Sequence, residues 1–148
     1  RKKKSSMKIF LDTSSLFKLY HKESGTQELM DFFNKNPIEG IFLAELTEIE
    51  ISSVIWKKCR KKEINEKVAL TLIEAFEKDS GNFNIVSESN EIRQLAKKMI
   101  RKYWKEGLRT LDSIQLASVL IIRDKVDFFF TSDNLLAEIA SHEKIKVK

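Results

Sequence analysis

The stretch KIFLDTSSLFKLY, residues 8–20, runs from apolar Ile9, Phe10 and Leu11 into a carboxylate, Asp12, and three hydroxyls, Thr13, Ser14 and Ser15. Apolar residues resume at Leu16 and Phe17. The first half reads as a buried strand, and the abrupt switch to polar residues marks its end. Asp12 then has two readings. It caps the helix that follows, because Asp accepts hydrogen bonds from orphan N–H groups. Alternatively it lies at the carboxyl end of a central strand, where open α/β sheets form their ligand crevices. Other carboxylates in the chain have to decide.

Downstream, SGTQELMDFFNK predicts a helix capped by Ser24 or Thr26, with Leu29, Phe32 and Phe33 on one face and Asn36-Pro37 as its end. A short strand is expected over residues 40–43. Residues 45–62 read as a helix, and residues 65–79 as another capped by Asn65. Ser80-Gly81 breaks the chain before a strand over residues 83–86. A longer helix is expected over residues 88–105, closed by Gly107, then one over residues 111–124 capped by Thr110. Residues 126–133, VDFFFTSD, hold the last core strand, residues 134–142 a terminal helix, and KIKV an edge strand. Strands separated by helices imply an α/β fold with a mainly parallel sheet covered on both faces.

Composition narrows the function classes. A chain of 148 residues, 42% hydrophobic and 33% charged, has the profile of an ordinary globular domain. A lone cysteine, Cys59, forms no internal disulfide, and His21 and His142 lack zinc-ligand spacing. A reducing cytoplasm fits, and no apolar run reaches the roughly 18 residues of a membrane span. The net charge of +5 is misleading, because Arg1, Lys2, Lys3 and Lys4 hold four of the 27 basic residues. From Met7 onward 23 basic residues face 22 acidic ones. Residues 1–6 read as a basic tail or cloning remnant, with a single domain over residues 7–148.

Three further carboxylates stand out. Glu50 sits in a helical pattern with Leu46 and Val54 one turn away on either side and Ile49 and Ile51 beside it, so its charge projects from a mostly apolar face. Asp112 opens a helix among Leu111, Ile114 and Leu116; an acid there is also favoured by the helix dipole. Asp133 follows an FFF run and the hydroxyls of Thr131 and Ser132, and would cap a helix as readily as Asp12. If the strands ending near Asp12 and Asp133 are neighbours, four acids share one crevice. Such a cluster repels itself and calls for hard cations, Mg²⁺ or Mn²⁺ with oxygen ligands. The chemistry suggested is metal-assisted phosphodiester hydrolysis.

The motifs FLDTSSLFKLY, LTEIEISSVIWKK, LRTLDSIQLASVL and FFFTSDNLLAEIA resemble, in that order along residues 8–140, the PIN-domain ribonucleases and in particular VapC-type toxins of toxin–antitoxin pairs. The resemblance implies a PIN-like three-layer fold with a mainly parallel sheet flanked by helices. It places metal-binding acids on Asp12, Glu50, Asp112 and Asp133, and hydroxyls near the site on Ser14, Thr131 and Ser132. It also implies a Mg²⁺- or Mn²⁺-dependent endoribonuclease acting on RNA, a homodimer and a small antitoxin partner. Many relatives carry an additional acid soon after the fourth, where this chain has Asn134, Leu135 and Leu136.

Basic residues offer candidate RNA contacts. Lys57 and Lys58 end one helix, Arg101 lies in another, and Arg109 stands three residues before Asp112. Solvated helix faces account better for the first three. Three rival functions remain open on the sequence. An aspartyl phosphotransferase would use Asp12 as nucleophile, but Ser14 stands where such enzymes often place a second acid. A metal-dependent adhesion module would need a hydroxyl where Leu16 lies. A catalytically silent PIN scaffold that binds RNA or protein is countered only by the presence of all four acids.

Overall fold

The computed structural model describes residues 6–148, so the basic tail expected over residues 1–6 lies, except for Ser6, outside the described residues. A strand over Met7–Leu11 (β1) forms the middle of the fold. Its alternation is decisive: Ile9 and Leu11 enter one core and Phe10 the other, so both faces of the strand are covered. After it come helices Thr13–Phe17 (α1) and Thr26–Lys35 (α2), strand Ile38–Ala44 (β2), and helices Thr47–Arg60 (α3) and Glu66–Asp79 (α4). Strand Asn84–Val86 (β3), helices Asn90–Lys102 (α5) and Thr110–Ile121 (α6), strand Phe128–Phe130 (β4) and helix Asn134–His142 (α7) complete the described order.

The four strands are parallel in the order β3-β2-β1-β4, which is the α/β arrangement that alternating strands and helices imply. Helices α1 to α4 pack residues such as Leu16, Leu29, Ile55 and Leu72 against one face, and α5 to α7 pack Met99, Leu116 and Ile139 against the other. Leu11 pairs with Phe130, so β1 and β4 end level, and Asp12 N donates to Phe130 O at 3.2 Å. The chain leaves both strands at one edge of the sheet, a precondition for a shared crevice.

Several expected boundaries shift, each for a local reason. Helix α2 starts from Gly25, at φ 93°, with no side-chain cap; Thr26, expected as a cap, donates instead to Lys18 O at 3.3 Å and accepts from Glu23 N at 3.0 Å. Thr110 is the first residue of α6 rather than its cap, which is Arg109 in extended conformation. Ser89 caps α5 by accepting from Ile92 N, and the expected long helix breaks at Tyr103 into a 3₁₀ turn, Trp104–Glu106, closed by Gly107 at φ 83°. The KIKV segment contributes an isolated parallel bridge between Val147 and Phe129, rather than a full strand. Asn65 caps α4 as expected, accepting from Val68 N at 2.8 Å.

Candidate functional site

Asp12, Glu50, Asp112 and Asp133 line one cleft of about 350 Å³ at the carboxyl ends of β1 and β4. Each comes from a different segment. Asp12 follows β1 and caps α1, its Oδ1 accepting from Ser15 N and from Ser14 Oγ, both at 2.9 Å. Asp12 therefore caps the helix with one oxygen while its side chain also lines the cleft. Asp133 behaves the same way after β4, with Oδ1 accepting from Leu136 N at 2.9 Å as the cap of α7. Thr131 Oγ1 supports the turn by accepting from Asp133 N at 3.1 Å.

Glu50 is held by a network that sequence reasoning missed. Thr13 Oγ1 donates to Glu50 Oε1 at 2.7 Å and accepts from Gln115 Nε2 at 3.2 Å. Because its single proton goes to Glu50, the 3.1 Å contact with Thr47 must use Thr47 as donor. Gln115 Nε2 also donates to Thr47 Oγ1 and Glu50 Oε1, both at 2.9 Å. Thr13, Thr47 and Gln115 are all buried. One signal was available: Gln115 is a lone amide among Ile114, Leu116 and Ala117, one helical turn beyond Asp112. Buried Gln115 Oε1 has no hydrogen-bond partner among the described residues.

Asp112 lies in the first turn of α6 and is half-buried, 4.0 Å from the largely exposed Arg109 guanidinium. Its carboxyl is pushed above the ordinary aspartate range by burial first and then by the charge of Asp133. Glu50 and Asp12 push in the same direction, and Arg109 offsets only part of the rise. Asp112 thus senses the other three acids through the cleft.

Not all predicted residues converge. Ser14 and Ser132 line the acidic cleft, whereas Thr131 lines the neighbouring larger one. Lys57, Lys58, Arg101 and Arg109 line neither. Lys58 pairs with Glu23 at 3.3 Å and lies over the Phe17 ring, and Arg101 is exposed on α5, which packs on the opposite face of the sheet from α3. Lys58 and Arg101 therefore form no common stripe.

The donor set fits a hard divalent cation chemically: four carboxylates, with hydroxyls nearby. Asp12 Oδ2, Glu50 Oε2 and Asp133 Oδ2 accept no hydrogen bond from described residues, while their partner oxygens are held in place. That division, one oxygen oriented and one spare, is the usual state of a carboxylate ligand supported by outer hydrogen bonds. Among the described residues, however, no three acids are drawn tightly enough together to hold an ion as they stand.

Residues 9–141 match the family model described as PIN domain. The chain belongs to the PIN domain family. No curated protein matches it in sequence. Solved structures similar to this PIN domain include FitAcB from Neisseria gonorrhoeae, at 14% identity and TM-score 0.67, with 94% of this chain and 95% of that one covered. VapC20 from Mycobacterium tuberculosis, described as a sarcin–ricin loop cleaving toxin, matches at 12% identity and TM-score 0.65, covering 88% and 93%. A toxin–antitoxin complex from Klebsiella pneumoniae matches at 19% identity and TM-score 0.60, covering 84% and 86%. At such identities the likeness is one of fold.

Proposed function

We propose that this PIN domain is a metal-dependent endoribonuclease and the toxin of a toxin–antitoxin pair. The observation that carries the reading is the meeting of Asp12, Glu50, Asp112 and Asp133, from four separate segments, in one cleft. Like charges brought together at a cost to the fold need a reason, and cation binding supplies one. Asp12, Glu50, Asp112 and Asp133 would hold Mg²⁺ or Mn²⁺, which makes water a better nucleophile and offsets charge at the phosphate. Gln115, Thr13 and Thr47 fix the angle of Glu50, and the helix-capping bonds fix Asp12 and Asp133. Ser14 and Ser132 present hydroxyls at the rim, Thr131 braces the Asp133 turn, and Arg109 stands beside Asp112 as a phosphate partner. Hydrolysis forms a bond from water oxygen to phosphorus as an ester P–O bond breaks and the leaving oxygen takes a proton.

RNA as substrate and an antitoxin as partner rest on the family and on the solved relatives in toxin–antitoxin complexes. A homodimer is consistent with Ile49 and Trp56, exposed on one side of α3 two turns apart. Among the described residues no helix is long and apolar enough to cross a membrane, in keeping with a cytoplasmic location.

The loose spacing of the acids favours one second reading, a PIN scaffold that binds RNA or protein without cutting. Cleavage of total tRNA and ribosomal RNA in Mg²⁺ and Mn²⁺ separates the two. Wild type cuts and folded Asp112→Asn does not if the enzyme reading holds. Equal cutting by both removes Asp112 from the site, and no cutting by wild type on any pool favours the scaffold.

A further inference from the structure

Beside the acidic cleft lies a larger one of about 750 Å³, and Ser132 lines both. Lys18 is its unusual residue. It directly follows α1 and is 8% exposed, the only lysine or arginine among the buried residues described. Its ammonium donates to Ser132 Oγ, and it forms no ion pair among the described residues. Glu28 and Asp31 on α2 line the same cleft, so overall charge does not single it out; burial without a carboxylate does.

The backbone is shaped around this side chain. A Cβ on Gly25 would meet Lys18 Cε at 2.9 Å and Nζ at 3.3 Å, and Gly25 adopts φ +93°, where L side chains are strained. Thr26 Oγ1 holds the Lys18 carbonyl at 3.3 Å. A buried ammonium needs an anion, because its desolvation is otherwise uncompensated. One of its three N–H groups goes to Ser132, and the others have no acceptor among the described residues. Ser132, having accepted from Lys18, keeps its own proton to donate.

We propose that Lys18 and Ser132 form a phosphate subsite that holds the RNA phosphate next to the one at the carboxylates. The proposal deepens the ribonuclease reading and rests on it for the identity of the ligand. The carboxylates alone repel a polyanion, whereas an ammonium one step away, behind a shared hydroxyl, fixes the strand's register. Lysine suits the task as a point charge offering several donors to phosphate.

The test has two arms, each with wild type, Lys18→Met and Lys18→Arg checked by circular dichroism; Lys18→Gln replaces Lys18→Met if that variant does not fold. In the first, metal-free protein is melted against increasing inorganic phosphate at matched ionic strength with chloride. A saturable rise in the midpoint is expected for wild type and Lys18→Arg and not for Lys18→Met. A saturable rise in all three, or in none, overturns the site. In the second, RNA binding is measured against KCl concentration in the Asp112→Asn background with Mg²⁺. Loss of one phosphate contact is expected to lower the magnitude of the log–log salt slope by about 0.7, the single-strand value per phosphate. RNA that binds with an unchanged slope overturns the role in substrate binding. A Lys18-dependent phosphate effect without RNA binding by any variant leaves the anion site standing and removes the ribonuclease reading instead.

Discussion

Asp112 carries opposed demands. Burial and the neighbouring carboxylates raise its proton affinity, so its ionised form is a cost to the metal-free fold. A folded pKa above the ordinary 3.8 means that the stability lent by protonation is present below that value and lost as pH rises through the raised one. Asparagine has no such loss. In EDTA, Asp112→Asn is expected to melt higher than wild type at neutral pH, with the gap closing as pH falls toward about 3, where both side chains are neutral. Melting across that range checks it, and a gap that persists unchanged at low pH refutes carboxylate repulsion and burial as the cause. Gln115 makes a second prediction. Gln115→Leu removes the amide that orients Glu50 and leaves Thr47 and Thr13 with fewer partners, so Mn²⁺ affinity should fall by about 10–100-fold, the usual effect of losing an outer-shell partner. Titration of wild type and variant with Mn²⁺ reads this directly, and unchanged affinity in a folded variant would remove Gln115 from any orienting role. The acids were legible in the sequence because Glu50 and Asp112 are charges set among apolar residues and Asp12 and Asp133 close apolar strands. Their supports were not, since Gln115 meets Thr13 across 102 residues and Thr13 meets Glu50 across 37. No local pattern records such contacts.

At the scale of elements, two helices begin on residues that also face the cleft. Asp12 caps α1 and Asp133 caps α7, each with Oδ1. Substitutions at Asp133 therefore divide structure from charge. Asp133→Asn keeps a carbonyl oxygen for Leu136 N, and Asp133→Ala loses the cap at about 1 kcal/mol, as Asn65→Ala should at α4. If the charge serves cation binding, both Asp133 variants lose RNA cleavage while only the alanine variant loses cap stability. Denaturant unfolding of the three variants beside cleavage assays gives the comparison; an active Asp133→Asn would reduce the residue to a cap. Helix existence was readable from periodicity at every long segment, and Asn65 was readable as a cap because its side chain acts within three residues. The starts of α2 and α6 were not. Thr26 is drawn to Lys18 O and Glu23 N, and Arg109 enters α6 on backbone conformation alone, so tertiary and backbone demands outrank the local capping preference.

For the whole molecule, the order β3-β2-β1-β4 decides what the sequence could only suppose. It places β1 between β2 and β4, so that the acids after β1 and β4 share an edge with those on α3 and α6. Parallel pairing also makes every crossover a helix, and these helices bury the strands on both faces, so the ends of β1 and β4 open side by side onto one cleft. That placement has a consequence for the acids. Their like charges repel across the shared cleft unless something neutralises them. An ion that binds only the folded arrangement should then stabilise the entire chain by mass action, about 2.7 kcal/mol at a hundredfold excess over its dissociation constant. For a chain of this size that is roughly 5–10 °C in the thermal midpoint. Mg²⁺ or Mn²⁺ added after EDTA should raise the midpoint of wild type by this order and that of an Asp12→Asn/Asp112→Asn double variant by far less. The double variant should also start higher in EDTA, because part of the repulsion is already gone. Equal metal shifts in both proteins would place the ion elsewhere, and no shift in wild type at millimolar metal would mean that the four carboxylates meet for some purpose other than holding a cation.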